Sequence, residues 1–183
     1  MSSTWWPRLR RWANVIDQLS ACMGRLSSWL VLLMLMVGAW NVVGRHLGAL
    51  IGRNLSSNSL IEVQWYLFSF TFLLGGAWTL QRNGHVRVDV LQSRWGARQQ
   101  ALANMVGIIL FLFPFSLLMI LSSWGAVHFS WNILEQSPDP GGLPRYPLKT
   151  LLPLGFLLLI FQGIADLIHN VEAIRDSEKK RKP

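Results

Sequence analysis

The chain has 183 residues, 51% apolar and only 14% charged, with 17 Lys and Arg against 9 Asp and Glu for a net charge of +8. An ordinary soluble domain carries about 25% charged residues. Here the apolar residues fall in four long runs, each near the roughly 20 residues a helix needs to cross a bilayer, and these leave no room for a separate soluble domain. The basic excess sits mostly beside two span ends and in the tails, where topology and anionic lipid explain it better than nucleic acid does. The lone Cys22 allows no intramolecular disulfide.

Residues 1–25 read as an amphipathic interfacial segment. Leu9, Trp12, Ile16, Leu19 and Met23 recur at helical spacing, with Arg8, Arg11, Asn14, Asp17 and Gln18 between them, and Trp5 and Trp6 serve as headgroup-level anchors. The first span is expected over about 26–46. Its apolar run is longer than the h-region of a signal peptide, and Asn41 and Arg45 stand where a cleavage site would need small residues, so the span is expected to be retained.

Turn formers between Leu50 and Ser59 (Gly52, Asn54, Ser56, Ser57, Asn58) separate it from a second span over about 60–80. That span opens on Glu62, Gln64 and Trp65 and closes on Gly75-Gly76-Ala77, where small residues allow a close helix approach. The connector Gln81–Gln100 is the most polar interior stretch, and Val90, Leu91 and Trp95 predict a short interfacial helix in it. A third span is expected over about 101–124, kinked at Pro114, since proline removes a backbone donor. The connector from His128 to Lys149 holds four prolines and two glycines in Ser137–Pro147, which rules out a regular helix there. A fourth span over about 150–168 leads into a basic tail, residues 169–183. The fold class is therefore all-α and integral to a membrane: a four-helix domain over 26–168 flanked by the two end segments.

Counting Lys and Arg by side orients it. Four in the N-terminal segment, four in the second connector and five in the tail stand against Arg45, Arg53, Arg145 and Lys149 on the other side. The positive-inside rule then places both termini in the cytoplasm.

A charge at mid-bilayer costs at least about 2.5–3.5 kcal/mol, so intramembrane polar groups are functional candidates. This chain shows none clearly at a span centre. Asn41, Glu62, Gln64, Gln162 and Asp166 are expected near span ends, within reach of water. A transporter binding its substrate alone would show broken helices or buried carboxylates at the midplane. Glu62 is read either as a specific contact, to a partner or to Arg45, or as a solvated headgroup-level carboxylate. His46 and His128 near one face, and His85 and His169 near the other, raise a haem-carrying redox protein as an alternative, but His46 and His85 lie outside the apolar runs. No catalytic triad spacing, zinc-ligand spacing or phosphate loop is present, so an enzyme is not expected. A third alternative is an independent small membrane protein of assembly or sensing.

The ordered set Glu62-Val-Gln-Trp65, Gly75-Gly76-Ala77 and Arg82-Asn-Gly-His85-Val-Arg87-Val-Asp89 resembles the small membrane subunit of TRAP transporters, the DctQ-like family. Asn41–Arg45 and Gly142-Leu-Pro144 add to that resemblance, which covers nearly the whole chain; the strongly basic tail departs from it. The resemblance implies a non-catalytic subunit of a tripartite secondary transporter. A periplasmic solute-binding protein would deliver an organic acid, a large multi-span permease subunit would carry it by sodium symport, and this chain would scaffold the large subunit. No cofactor is implied in this chain; sodium ions would bind in the large partner. Glu62 and Trp65 would face that partner near the outer surface, Gly75, Gly76 and Ala77 would permit close helix packing, either internally or at the subunit interface, and His85, Arg87 and Asp89 would fold the cytoplasmic connector.

Overall fold

Residues 5–53, 55–84 and 95–181 are described by a computed structural model. They form four long helices and no strand among the described residues: α1 (Trp6–Ile51), α2 (Asn58–Gln81), α3 (Ala97–Asn132) and α4 (Tyr146–Arg181). Each contains a stretch long and apolar enough to cross a membrane. Residue pairs in contact run antiparallel between α1 and α2, α1 and α4, and α3 and α4, and parallel between α2 and α4. The chain thus passes up and down, with the first and third connectors at one end (the loop end) and both termini at the other (the tail end). The last helix to be made is the central one. It packs on α1, α2 and α3, while α1 and α2 pack extensively on each other.

The expected boundary near residue 25 is not a break, because Trp6–Ile51 is one continuous helix. At 1.5 Å per residue it runs roughly 70 Å, far beyond the ~30 Å of a hydrocarbon core. Its surplus has a partner. Beyond the end of α2, α1 and α4 continue side by side, with the Arg175 guanidinium 4.5 Å from the Trp6 ring centroid and Arg10 3.3 Å from Glu172. The expected basic tail is likewise the helical continuation of α4 through Arg181. Helical ends outlast the apolar runs because hydropathy marks only the lipid-solvated part of a helix.

The face of α1 that packs is not its apolar face. Leu9, Trp12 and Leu19 are exposed, whereas Ala13, Ser20, Gly24 and Ser27 are buried. With half-buried Asp17, these recur at spacings of four and three, a seam of small residues that lets helices approach closely. Small side chains let the two backbones approach, so close backbone contact rather than side-chain hydropathy marks the packing face.

Glycines elsewhere mark the same closeness. A Cβ at Gly48 would run into the carbonyl oxygen of Arg53, and one at Gly155 would sit 2.9 Å from Leu73 Cβ. Gly52, at φ 70°, closes α1 in the left-handed region with its chain folding back so that Arg53 N–H donates to Gly48 at 3.0 Å. In α3 the expected kink at Pro114 takes the form of a wide π turn over Ile108–Leu112. The Phe113 N–H reaches back five residues to Ile108, and the helix stays continuous despite the missing proline donor. That turn nests on Gly163 of α4, where a Cβ would lie 2.8 Å from the Phe113 ring.

Candidate functional site

At the loop end, Glu62 begins the story. It sits one turn into α2 and is only 4% exposed. Its Oε2 accepts the Leu143 backbone N–H at 2.5 Å, and its Oε1 accepts the Ser137 hydroxyl. The same face of α2 makes two more such bonds, Ser59 Oγ to the Gly141 carbonyl and Tyr66 Oη to the Pro144 carbonyl. The proline-rich connector is therefore folded down onto α2, which its glycines allow. Gly141 turns at φ 73°, and a Cβ at Gly142 would lie 2.9 Å from Glu62 Oε1. Two motifs 75 to 81 residues apart thus make one latch.

The connector is held from its other side by Glu135. Its Oε2 accepts the Ser130 hydroxyl at 2.6 Å and the Lys149 ammonium, and its backbone carbonyl accepts the Arg145 N–H at 2.8 Å. Lys149, then Ser130, hold this carboxyl below its ordinary range, against a smaller opposing effect of burial. Trp131 Nε1 donates to Thr150 Oγ1 at 2.8 Å, and its ring meets Tyr146 edge-on at 4.7 Å.

At the tail end the polar groups come from three helices. Gln162 of α4 is fully buried. Its Oε1 accepts Ser20 Oγ at 2.6 Å, and its Nε2 donates to Asp17 Oδ1 and Asp166 Oδ1, each at 3.0 Å. The other Asp17 oxygen lies 2.8 Å from His169 Nε2, and the Asp17 backbone carbonyl accepts Gln81 Nε2 of α2 at 3.0 Å. One amide thus bridges two carboxylates while the imidazole caps the first. Buried polar groups in this arrangement are costly to separate, since each loses a partner that lipid does not replace.

These placements correct three expectations. Glu62 and Gln162 do not reach water; they are buried and hydrogen-bonded within the chain. Glu62 does not pair with Arg45, and it faces the third connector, whereas Trp65 next to it points outward at 61% exposure. Of the three small residues closing α2, only Ala77 is fully buried. A Cβ at Gly75 or Gly76 would meet its nearest neighbour at 3.4 and 3.8 Å, so within this chain those glycines do not enforce contact. Glycines that do, Gly24, Gly48, Gly155 and Gly163 among them, carry no local signal that sets them apart in the sequence. Among the described histidines, His46 lies against the Val42 carbonyl and His128 against Asn132, on helices that share no substantial contact. His85, Arg87, Asp89 and the short interfacial helix lie outside the described residues.

What the geometry defines is a multi-pass helical membrane protein whose internal polar groups tie helix to helix and connector to helix. The family comparison narrows this class. Residues 33–173 match the family model for the DctQ component of tripartite ATP-independent periplasmic transporters, and the chain belongs to that family. It is a small membrane subunit of a TRAP transporter, a transport component. It is also similar to the C4-dicarboxylate TRAP transporter small permease protein DctQ of Vibrio cholerae serotype O1 (strain ATCC 39315 / El Tor Inaba N16961). The two are 24% identical over 185 residues, covering 88% of this chain and 74% of that protein. No solved structure matches the chain.

Proposed function

We propose that this subunit scaffolds a large multi-span permease subunit, in the inner membrane with both termini cytoplasmic, for sodium-coupled uptake of an organic acid that a periplasmic binding protein delivers. The observation that carries this reading is where the polar side chains are used. Glu62, Gln162, Asp17 and Ser20 all hydrogen-bond within the chain, while the outward faces of α1 and α3 are lined by large apolar residues such as Trp29, Met36, Phe111 and Leu121. A substrate-binding span is marked by broken helices at mid-depth. The buried polar groups without a partner among the described residues, such as Asn41, Thr71 and Ser116, are all neutral and sit on continuous helices. A scaffold needs apolar surface for lipid and a partner. The tripartite family supplies the two partners, and the relative's C4-dicarboxylate suggests the acid class. Sodium and substrate are assigned to the large subunit.

The experiment is reconstitution. The chain, the large subunit and the binding protein are expressed together, purified and placed in liposomes. Uptake of a dicarboxylate is expected only with all three components and an inward sodium gradient. Uptake by the large subunit and binding protein without this chain would remove the scaffolding role, and uptake indifferent to sodium would remove the coupling.

A further inference from the structure

Gly75 and Gly76 leave something open. Between α1, α2 and α4 lies a groove of about 750 Å³, lined by Gly24, Ser27, Gly76, Phe115, Phe156 and Leu159 among others. Its lining is overwhelmingly apolar, and it has the volume typical of a ligand site. It runs along α1 from Gly24 to Val31, about 10 Å at 1.5 Å per residue. At its tail-end limit stands Trp78, whose ring packs against Gly24. The Arg82 guanidinium lies over that ring, 5.5 Å from its centroid, and Arg25 follows Gly24 in α1. Both arginines are exposed, and neither forms an ion pair among the described residues.

We propose that this groove binds one acyl chain of an anionic phospholipid from the tail-end leaflet, with its phosphate held by Arg82 and Arg25. Two independent features converge on that occupant. The groove offers apolar walls at bilayer depth with one backbone stretch, Gly75-Gly76, stripped of side chains and left with room beside it. Its mouth offers the Arg82 guanidinium at the level where a tryptophan marks the headgroups, and arginine pairs with phosphate through two parallel hydrogen bonds. Apolar walls alone would suit a partner's transmembrane helix as well; the guanidinium favours an occupant that carries an anion to that level. The lipid would glue α1 to α2 and α4 where polar contacts are sparse, between the two hydrogen-bonded ends.

The test uses the full chain purified in mild detergent and exchanged into nanodiscs of mixed phosphatidylglycerol and phosphatidylethanolamine, with retained lipid read by native mass spectrometry. The wild type is expected to retain one phosphatidylglycerol. Gly76→Leu fills the groove from a position whose Cβ meets only Leu159 at 3.8 Å, and it is expected to abolish retention with the fold intact by circular dichroism. Arg82→Gln is expected to lower the preference for the anionic lipid about fivefold, the change matching the ~1 kcal/mol of one basic residue at an anionic surface. Equal retention by Gly76→Leu, or no headgroup preference in the wild type, would overturn the proposal. So would a disulfide between Gly76→Cys (in a Cys22→Ser background) and a cysteine of a co-expressed large subunit, which would place a protein helix in the groove.

Discussion

The two ends of the bundle are tied by carboxylates in different ways. At the loop end, Glu62 on α2 is held by a connector, through the Leu143 N–H and the Ser137 hydroxyl. At the tail end, Asp17 on α1 is held by side chains of another helix, Gln162 and His169. The first arrangement fixes a loop's shape; the second fixes the register of two helices over the length where they outrun α2. A connector between helices has no lattice of its own and gains a set shape from the carboxylate, whereas the helix pair must keep α1 and α4 together without a surrounding bundle. The comparison predicts that backbone contacts dominate the loop end and side-chain hydrogen bonds the tail end.

The largest test strikes the loop end. Gly48 faces the Arg53 carbonyl, with the Leu55 nitrogen 3.1 Å from where its Cβ would be. Those are backbone atoms that have no rotamer to turn aside. Gly48→Val is expected to destabilise by about 3 kcal/mol, the upper part of the usual overpacking range, read as a lowered thermal midpoint in detergent. Gly76→Ala is its control, since that Cβ has room; its effect is expected within about 0.5 kcal/mol. Equal losses at both positions would mean that glycine content, not backbone approach, sets the packing here.

Gln162→Leu tests the tail end. It removes the amide from Asp17, Asp166 and Ser20 together while keeping the volume similar. The expected loss is about 2 kcal/mol, within the 1–3 kcal/mol range for stranding a buried polar group. A double-mutant cycle with Ser20→Ala should show coupling, because the two side chains share a 2.6 Å bond. A variant as stable as the wild type would show that small-residue packing alone holds α1 to α4.

How much of this was legible in the sequence follows from what each signal measures. The four spans and the all-α fold were legible because apolar length is a direct requirement of the bilayer. The family was legible because Glu62, Trp65, Gly75 and Gly142 stand in an ordered set. The packing face of α1 was not legible, since the Leu9, Trp12 and Leu19 stripe marks the side turned away from the bundle and the small residues Ala13, Ser20, Gly24 and Ser27 carry little hydropathy signal. The latch was half legible: Glu62 and the Gly142-Leu-Pro144 turn were both singled out, yet nothing local says that a carboxylate will accept a backbone N–H 81 residues away. Gln162 was discounted for lying toward a span end, although a long helix such as α4 keeps its protein neighbours there.

The smallest expected effect concerns pH and separates the ends further. Glu135 has its carboxyl held below the ordinary value of 4.5, first by Lys149 and then by Ser130. A depressed folded-state value means that the unfolded chain binds the proton more readily. The stabilisation is therefore fully present above about pH 4.5 and is lost as pH falls through the lower folded-state value. Lys149 and Glu135 are both partly exposed, so solvent screening keeps the effect modest. The readout is limited proteolysis of the 133–145 connector between pH 6 and pH 3. Cleavage is expected to rise below pH 4.5 in the wild type, and Lys149→Gln should move the onset toward higher pH while leaving the Asp17–Gln162 end unaffected. An onset that Lys149→Gln does not move would assign the connector's shape to Glu62 alone.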